Sequence, residues 1–347
     1  MGKQRIILVG SQNLGGVLDD GETMKNYMLA KGFEKCGCHI CRIDMRHRPQ
    51  RFLYLAKYLF CLLYFRNSKI VMSASPLVAD KLFRLSRLLG WSGNNEYYWV
   101  IGGTFGTLIV DKRLSDDLYR PVKQIVVEGE CMKEQLESVG FSNVMVLPNM
   151  KEISYVPKKE INERKDIHFV FLSRVMPEKG VDYIIEASRT LVSLGINYFS
   201  VDIYGRIDPK YKEILDEKLQ KLPNVKYKGF LNLHDKVGYD ILSSYDMMLF
   251  PTYWHGEGFP GILIDAFIAG LPVIASDWNL NKYLVKNGVN GLIIPPHDSI
   301  ALSQAMKNVI EGKFDLKIMS ANAQKECFNY DLNNIINTKL LKELNIL

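Results

Sequence analysis

Apolar and polar positions along the chain fall into two alternating textures. Short apolar runs bounded by glycine, proline or charge suit buried strands, and longer stretches with an apolar stripe suit helices. In the first half the runs predict strands at 5–10, 38–44, 69–73, 97–101, 124–128 and 144–147. Helices are predicted between them at 21–35, 50–65, 76–89 and 131–139. The second half predicts strands at 167–173, 201–204, 225–228, 246–251 and 271–276, followed by the stretch 288–296. Its helices are predicted at 181–194, 211–222, 234–243, 261–269 and 299–310. Such alternation predicts an α/β fold, with mostly parallel sheets, helices on both faces and ligands at the carboxyl ends of the strands.

The stretch 245–278, YDMMLFPTYWHGEGFPGILIDAFIAGLPVIASDW, organises the second half. Pro260 suits a first helical position and Gly270 a helix stop. A helix that starts in a glycine turn presents free N–H groups and its positive dipole end, which is a ready phosphate site. Glu257 and Asp265 flank that turn. Carboxylates repel phosphate but suit hydroxyls. The implied ligand is therefore a phosphate with a polyol at each end, such as a nucleotide sugar. Gly256-x-Gly258-x-x-Gly261, with Asp277 after the next strand, also satisfies a dinucleotide fingerprint and raises an NAD-dependent oxidoreductase as an alternative. That fingerprint usually follows the first strand of its domain, and it has no need of acids at 257 and 265.

A second charged turn follows the strand 167–173, running Arg174-Val175-Met176-Pro177-Glu178-Lys179-Gly180. Fixed cations stabilise a diphosphate leaving group, Arg by a bidentate fork and Lys as a point charge. Glycine loops at 10–16 and 102–106, and Gly205 after the strand 201–204, also lie at predicted carboxyl ends.

The turn at 256–265 resembles the Glu-x7-Glu region of retaining glycosyltransferases of family 4, which have the GT-B fold. Glu257 matches the first Glu, Gly258-Phe259 match the residues after it, and Asp265, one methylene shorter, replaces the second Glu. Arg174 and Lys179-Gly180 match the family's strand-end Arg and Lys-Gly pair, and Gly15-Gly16 match its Gly-Gly loop. The resemblance spans 165–312 and is mostly architectural before that.

It implies two Rossmann-like doubly wound domains facing a central cleft. Residues 1–150 would bind the acceptor, completed by a C-terminal helix at 331–347, and 151–330 would bind the donor. The implied enzyme is a hexosyltransferase that needs neither cofactor nor metal, consistent with the lack of any Asp-x-Asp. It would move a sugar from a UDP- or GDP-sugar to a glycan or lipid-linked hydroxyl with retention, in surface polysaccharide biosynthesis. The departing phosphate would accept the acceptor's proton. Glu257, Arg174 and Lys179 would be catalytic, and Gly15, Gly16, Gly205, Gly258, Phe259, Pro260, Gly261 and Asp265 would hold the donor. Many relatives place a histidine near the 102–106 loop, where this chain has Gly103 and Thr104. That departure, with Asp265, keeps open a non-catalytic sugar-nucleotide-binding partner subunit.

Composition adds scale and charge. The 347 residues suffice for two domains, and 47% hydrophobic with 24% charged residues suits a soluble globular protein. No signal peptide is expected, and no run reaches the roughly 18 apolar residues of a spanning helix. Cys36, Cys38 and Cys41 lie around His39 without zinc spacing, and the scattered cysteines suit a reducing compartment. The net charge of +6 lies wholly in residues 1–150. Residues 42–87 hold ten Lys or Arg against two acids. The apolar stretch 52–65 inside that region reads either as a core helix or as an interfacial helix on an anionic membrane. Its aromatics are not interleaved on a basic face, so nucleic acid is not the expected partner. The expected location is cytoplasmic, peripheral at the inner membrane face.

Overall fold

The computed structural model describes residues 4–14, 16, 20–46, 50–159 and 166–347, except the Arg51 side chain. The chain divides into two compact units, Met1–Glu152 with Tyr330–Leu347, and Ile153–Asn329.

The first unit contains β1 (Arg5–Gly10), β2 (His39–Asp44), β3 (Lys69–Ser73), β4 (Glu96–Trp99), β5 (Gln124–Val127) and β6 (Val144–Val146). They pair in parallel in the order β2-β1-β3-β4-β5-β6. The order reverses between β1 and β3, which makes a switch point there. Alternate side chains feed two cores, as strand geometry requires. Ile7, Val9, Ile70 and Met72 enter one. Ile6, Leu8, Tyr97 and Trp99 enter the other, together with Leu332, Leu340, Leu341 and Ile346 from the end of the chain. The Tyr97 hydroxyl donates to the Leu344 carbonyl at 2.8 Å. This terminal segment is not one helix but two, Leu332–Ile335 and Thr338–Glu343. Ile336 is extended between them, and Asn337 caps the second by accepting from the Leu340 N–H.

The second unit contains β7 (Ile167–Leu172), β8 (Phe199–Tyr204), β9 (Val225–Gly229), β10 (Met247–Phe250), β11 (Val273–Ser276) and β12 (Gly291–Ile294). Their order is β12-β11-β10-β7-β8-β9, again with parallel neighbours. The switch point lies between β7 and β10. Aspartates start several of the covering helices: Asp235 accepts from Gly238 N–H and Asp298 from Ala301 N–H.

Three differences from the sequence pattern have local causes. The strand 271–276 begins only at Val273, because Pro272 has no N–H for the ladder and serves as an acceptor for Met248. The glycine loop 102–106 ends early, because Phe105 opens the helix Phe105–Val110 and is buried against Tyr98 and Tyr119. A helix at Leu316–Cys327 escaped the pattern, since half of its residues are polar and interrupt the apolar stripe. It is held by the Asp315 cap and by the Ser320 hydroxyl, which donates to Gly270 O at 2.7 Å.

Candidate active site

The carboxyl ends of β7 and β10 bring together residues that lie far apart in sequence. After β7 the chain passes Arg174 and makes the tight turn Pro177–Lys179. Gly180 then turns with φ 84° into the helix Val181–Ser193. A Cβ on Gly180 would lie 2.1 Å from the Pro251 carbonyl oxygen, so this turn packs directly on the end of β10. The contact is sealed from the other side, where Tyr253 N–H donates to Glu178 O at 2.9 Å.

Lys179 is thereby buried, at 5% exposure. Its Nζ donates to Glu257 Oε2 at 2.5 Å. The same oxygen accepts from the Thr252 hydroxyl at 3.0 Å. Asn279 donates to the Glu257 carbonyl, and Trp278 Nε1 to the Trp254 carbonyl, which ties the turn to the end of β11. Removing either member of a buried pair of this kind leaves the other as an uncompensated buried charge.

The helix Gly261–Ile268 starts just beyond Glu257. No side chain caps its start. Pro260 is not its first helical residue but its extended cap, with ψ 107°, which lets its carbonyl accept from Leu263 N–H. Phe259 is buried beneath the turn. Asp265, one turn in, is only 3% exposed and accepts from the Tyr239 hydroxyl at 2.7 Å. Burial, then the Asp265 charge and that hydrogen bond, hold the Tyr239 phenol far above its ordinary range, so it stays a donor.

Arg174 is exposed, with its guanidinium over the Trp254 ring at 5.4 Å. Gly205 follows β8 with φ 136°, and a Cβ there would lie 1.7 Å from Ser173 O. It therefore lets the end of β8 lie against the residue before Arg174. The structure thus joins Lys179 directly to Glu257, sets Asp265 and the uncapped helix start on the same connection, and leaves Arg174 beside it on Trp254.

Sequence reading missed Thr252, Tyr239 and an aromatic group where the carboxyl ends of β10 and β12 meet the helix Val181–Ser193. In that group the Tyr183 hydroxyl meets His297 Nδ1 at 3.0 Å and Tyr253 lies 4.4 Å from the His297 ring. Thr252 stands next to the proline that ends β10 and was visible there. Tyr239 comes from another helix, and no local pattern marks it.

In the first unit, Gly15 lies outside the described residues. Gly16 is an exposed turn residue whose N–H donates to Asn13 O. The first turn of the helix Gly21–Lys35 adds Glu22, which no sequence motif marks. Burial, reinforced by the Asp20 charge, pushes its carboxyl up to about 7. Among the described residues no three His, Cys, Asp or Glu gather in a metal-binding group. The dinucleotide fingerprint at 256–261 follows β10, the fourth strand of its sheet in chain order, and its Glu257 is held by Lys179.

Against known proteins, residues 154–326 match the model of the family described as glycosyl transferases group 1. The UDP-Gal:alpha-D-GlcNAc-diphosphoundecaprenol alpha-1,3-galactosyltransferase of Escherichia coli is 28% identical over 214 residues, covering 57% of this chain and 52% of the relative. The phosphatidyl-myo-inositol mannosyltransferase of Mycobacterium leprae is 27% identical over 192 residues, covering 53% and 49%. The chain thus spans about half the length of these two curated relatives. Among solved structures, Anabaena HepE in complex with UDP superposes with a TM-score of 0.71 at 15% identity, over 99% of this chain and all of that one. Sucrose-phosphate synthase from Thermosynechococcus elongatus gives a TM-score of 0.76 at 14% identity, over 99% and 98%. At such identities the likeness speaks for the fold, and with two six-stranded parallel sheets it is the α/β GT-B fold. Through residues 154–326 the chain belongs to the glycosyl transferases group 1 family.

Proposed function

We propose that the second unit binds a nucleoside-diphosphate sugar at the β7/β10 switch point, and that the protein transfers the sugar to a hydroxyl with retention of anomeric configuration. The observation that carries this reading is the buried Lys179–Glu257 pair beside an uncapped helix start. On donor binding, Lys179 turns from Glu257 to the diphosphate, and Glu257 takes sugar hydroxyls in exchange. The helix start at Phe259–Gly261 holds phosphate through the N–H groups of Phe259 and Gly261, Arg174 adds a second cation, and Asp265 holds ribose. Gly205 brings the end of β8 against Ser173, next to Arg174, and so helps shape the nucleotide site. As the bond from the anomeric carbon to the diphosphate oxygen breaks, charge gathers on that oxygen, where Lys179 and Arg174 stabilise it. The acceptor hydroxyl bonds to the anomeric carbon, and its proton passes to the departing phosphate.

The complex of HepE with UDP and glucose supports a UDP-sugar as donor. Relatives named for diphosphoundecaprenol and phosphatidyl-myo-inositol acceptors support a lipid-linked acceptor, bound by the first unit. A relative named for colanic acid biosynthesis supports a place in surface polysaccharide assembly. Among the described residues no helix is long and apolar enough to cross a membrane. The proposed location is the cytoplasmic face, with residues 42–87 towards anionic lipid.

Metal-free calorimetry with UDP, GDP, ADP and NAD tests the donor reading. One nucleoside diphosphate is expected to bind in preference to NAD, and preference for NAD would return weight to the oxidoreductase. Tyr239→Phe removes the donor that orients Asp265 and is expected to weaken that nucleotide by about tenfold. The ribose-free diphosphate should lose nothing, so equal losses for both would place Asp265 away from the ribose.

A further inference from the structure

The helix Arg51–Tyr64 in the first unit has two apolar faces. Tyr58, Cys61 and Leu62 enter the core it shares with the next helix, Pro76–Leu88. On the opposite side Phe52, Leu53, Phe60, Leu63 and Tyr64 stand half or more exposed, with Phe52 at 83%, Leu53 at 71% and Tyr64 at 69%. At about 100° per residue these five share an arc of roughly 120°. The rings of Phe60 and Tyr64 lie 4.6 Å apart on that arc. A helix face turned to water normally carries charge, and contiguous apolar patches of this kind mark an interaction surface.

The setting of the patch identifies its partner. From Met45 to Ala79 the sequence carries six Lys or Arg and no Asp or Glu. Lys57 borders the arc, and its Nζ donates to the Arg42 carbonyl. Arg66, just past the helix, donates to the carbonyls of Leu89 and Gly90. Both cations end on backbone oxygen, so no carboxylate cancels their charge there. A second copy of the chain would set this basic border against itself. An anionic bilayer meets both features, with acyl chains for the rings and leucines and headgroup phosphates for the cations.

We infer that the outer face of Arg51–Tyr64 inserts into the surface of an anionic membrane, with Lys57 and Arg66 on lipid phosphates. The inference rests on the glycosyltransferase reading in one respect, since a lipid-linked acceptor requires the protein at a bilayer. Insertion itself is a property of the first unit alone.

Vesicle flotation of the full chain tests it, with phosphatidylcholine alone and with about 30% phosphatidylglycerol added. The protein is expected to float with the anionic vesicles and to be released at about 0.5 M salt. Phe52→Ser/Leu53→Ser/Phe60→Ser changes only exposed positions and should lower partitioning at least about tenfold. Lys57→Gln/Arg66→Gln should lower it by about fivefold per charge. Thermal unfolding by circular dichroism checks that both variants fold. Nucleotide binding, measured without vesicles, reports on the donor site separately, so either reading can fail while the other stands. The inference is overturned if the wild-type chain stays with the soluble fraction, or if the triple variant floats equally well. It is also overturned if sedimentation equilibrium finds a dimer that the triple variant dissolves, because a second copy would then cover the face.

Discussion

Lys179→Ala is expected to lower turnover by roughly a hundred- to a thousand-fold, the usual consequence of removing one fixed charge from a developing oxyanion. Nucleoside diphosphate binding should fall with it. Glu257 would be left buried with only the Thr252 hydroxyl on its Oε2, and stability should drop by about 3 kcal/mol. The double variant Lys179→Ala/Glu257→Gln separates the two effects. An amide in place of the Glu257 carboxylate carries no charge and still accepts from Thr252, so much of the stability should return while turnover stays low. Donor turnover and urea unfolding on wild type and both variants complete the comparison. If turnover recovered along with stability, the pair would be a structural ion pair and Lys179 would not act on the diphosphate.

Gly180→Ala is expected to disturb both stability and the site. Its φ of 84° is left-handed, and its Cβ would meet the Pro251 oxygen at 2.1 Å. The conformational cost alone is about 1–2 kcal/mol, and the clash adds to it by pushing the β7 turn off the end of β10. Because Lys179 is the preceding residue, that shift also separates it from Glu257. Gly195 serves as the control. It has φ 78°, and a Cβ added there would meet nothing within 4 Å, so Gly195→Ala should show the conformational cost only. Melting temperature and nucleotide affinity are measured on both. Equal loss of melting temperature with unchanged affinity in each would show that the approach to Pro251 does not position Lys179.

Both experiments concern a contact that spans 78 positions of sequence. Much around it was legible beforehand. The apolar runs located β7 and β10 to within a residue or two, because a buried parallel strand needs an uninterrupted apolar run. The glycine turn, the helix start and the charged turn after β7 were each readable from local chemistry. Their partnership was not. Lys179 and Glu257 meet because β10 pairs with β7, and that pairing skips two strands of sequence. Nothing local to either residue encodes it.

The helix Arg51–Tyr64 makes the same point in the first unit. Its apolar character and basic surroundings were plain in the sequence, yet both a core helix and an interfacial helix fitted them. Packing divides the question by face, sending Tyr58, Cys61 and Leu62 inward and leaving Phe52, Leu53 and Tyr64 outside. The position of Asp265 is also a tertiary result, since burial against Tyr239 depends on a neighbouring helix. The sequence by itself determined the α/β class, most elements and the chemical types at the strand ends, because period, capping and glycine geometry act over a few residues. The tertiary structure alone decided which of those ends meet and which apolar face stays uncovered, because sheet order and helix packing are set by contacts between distant segments.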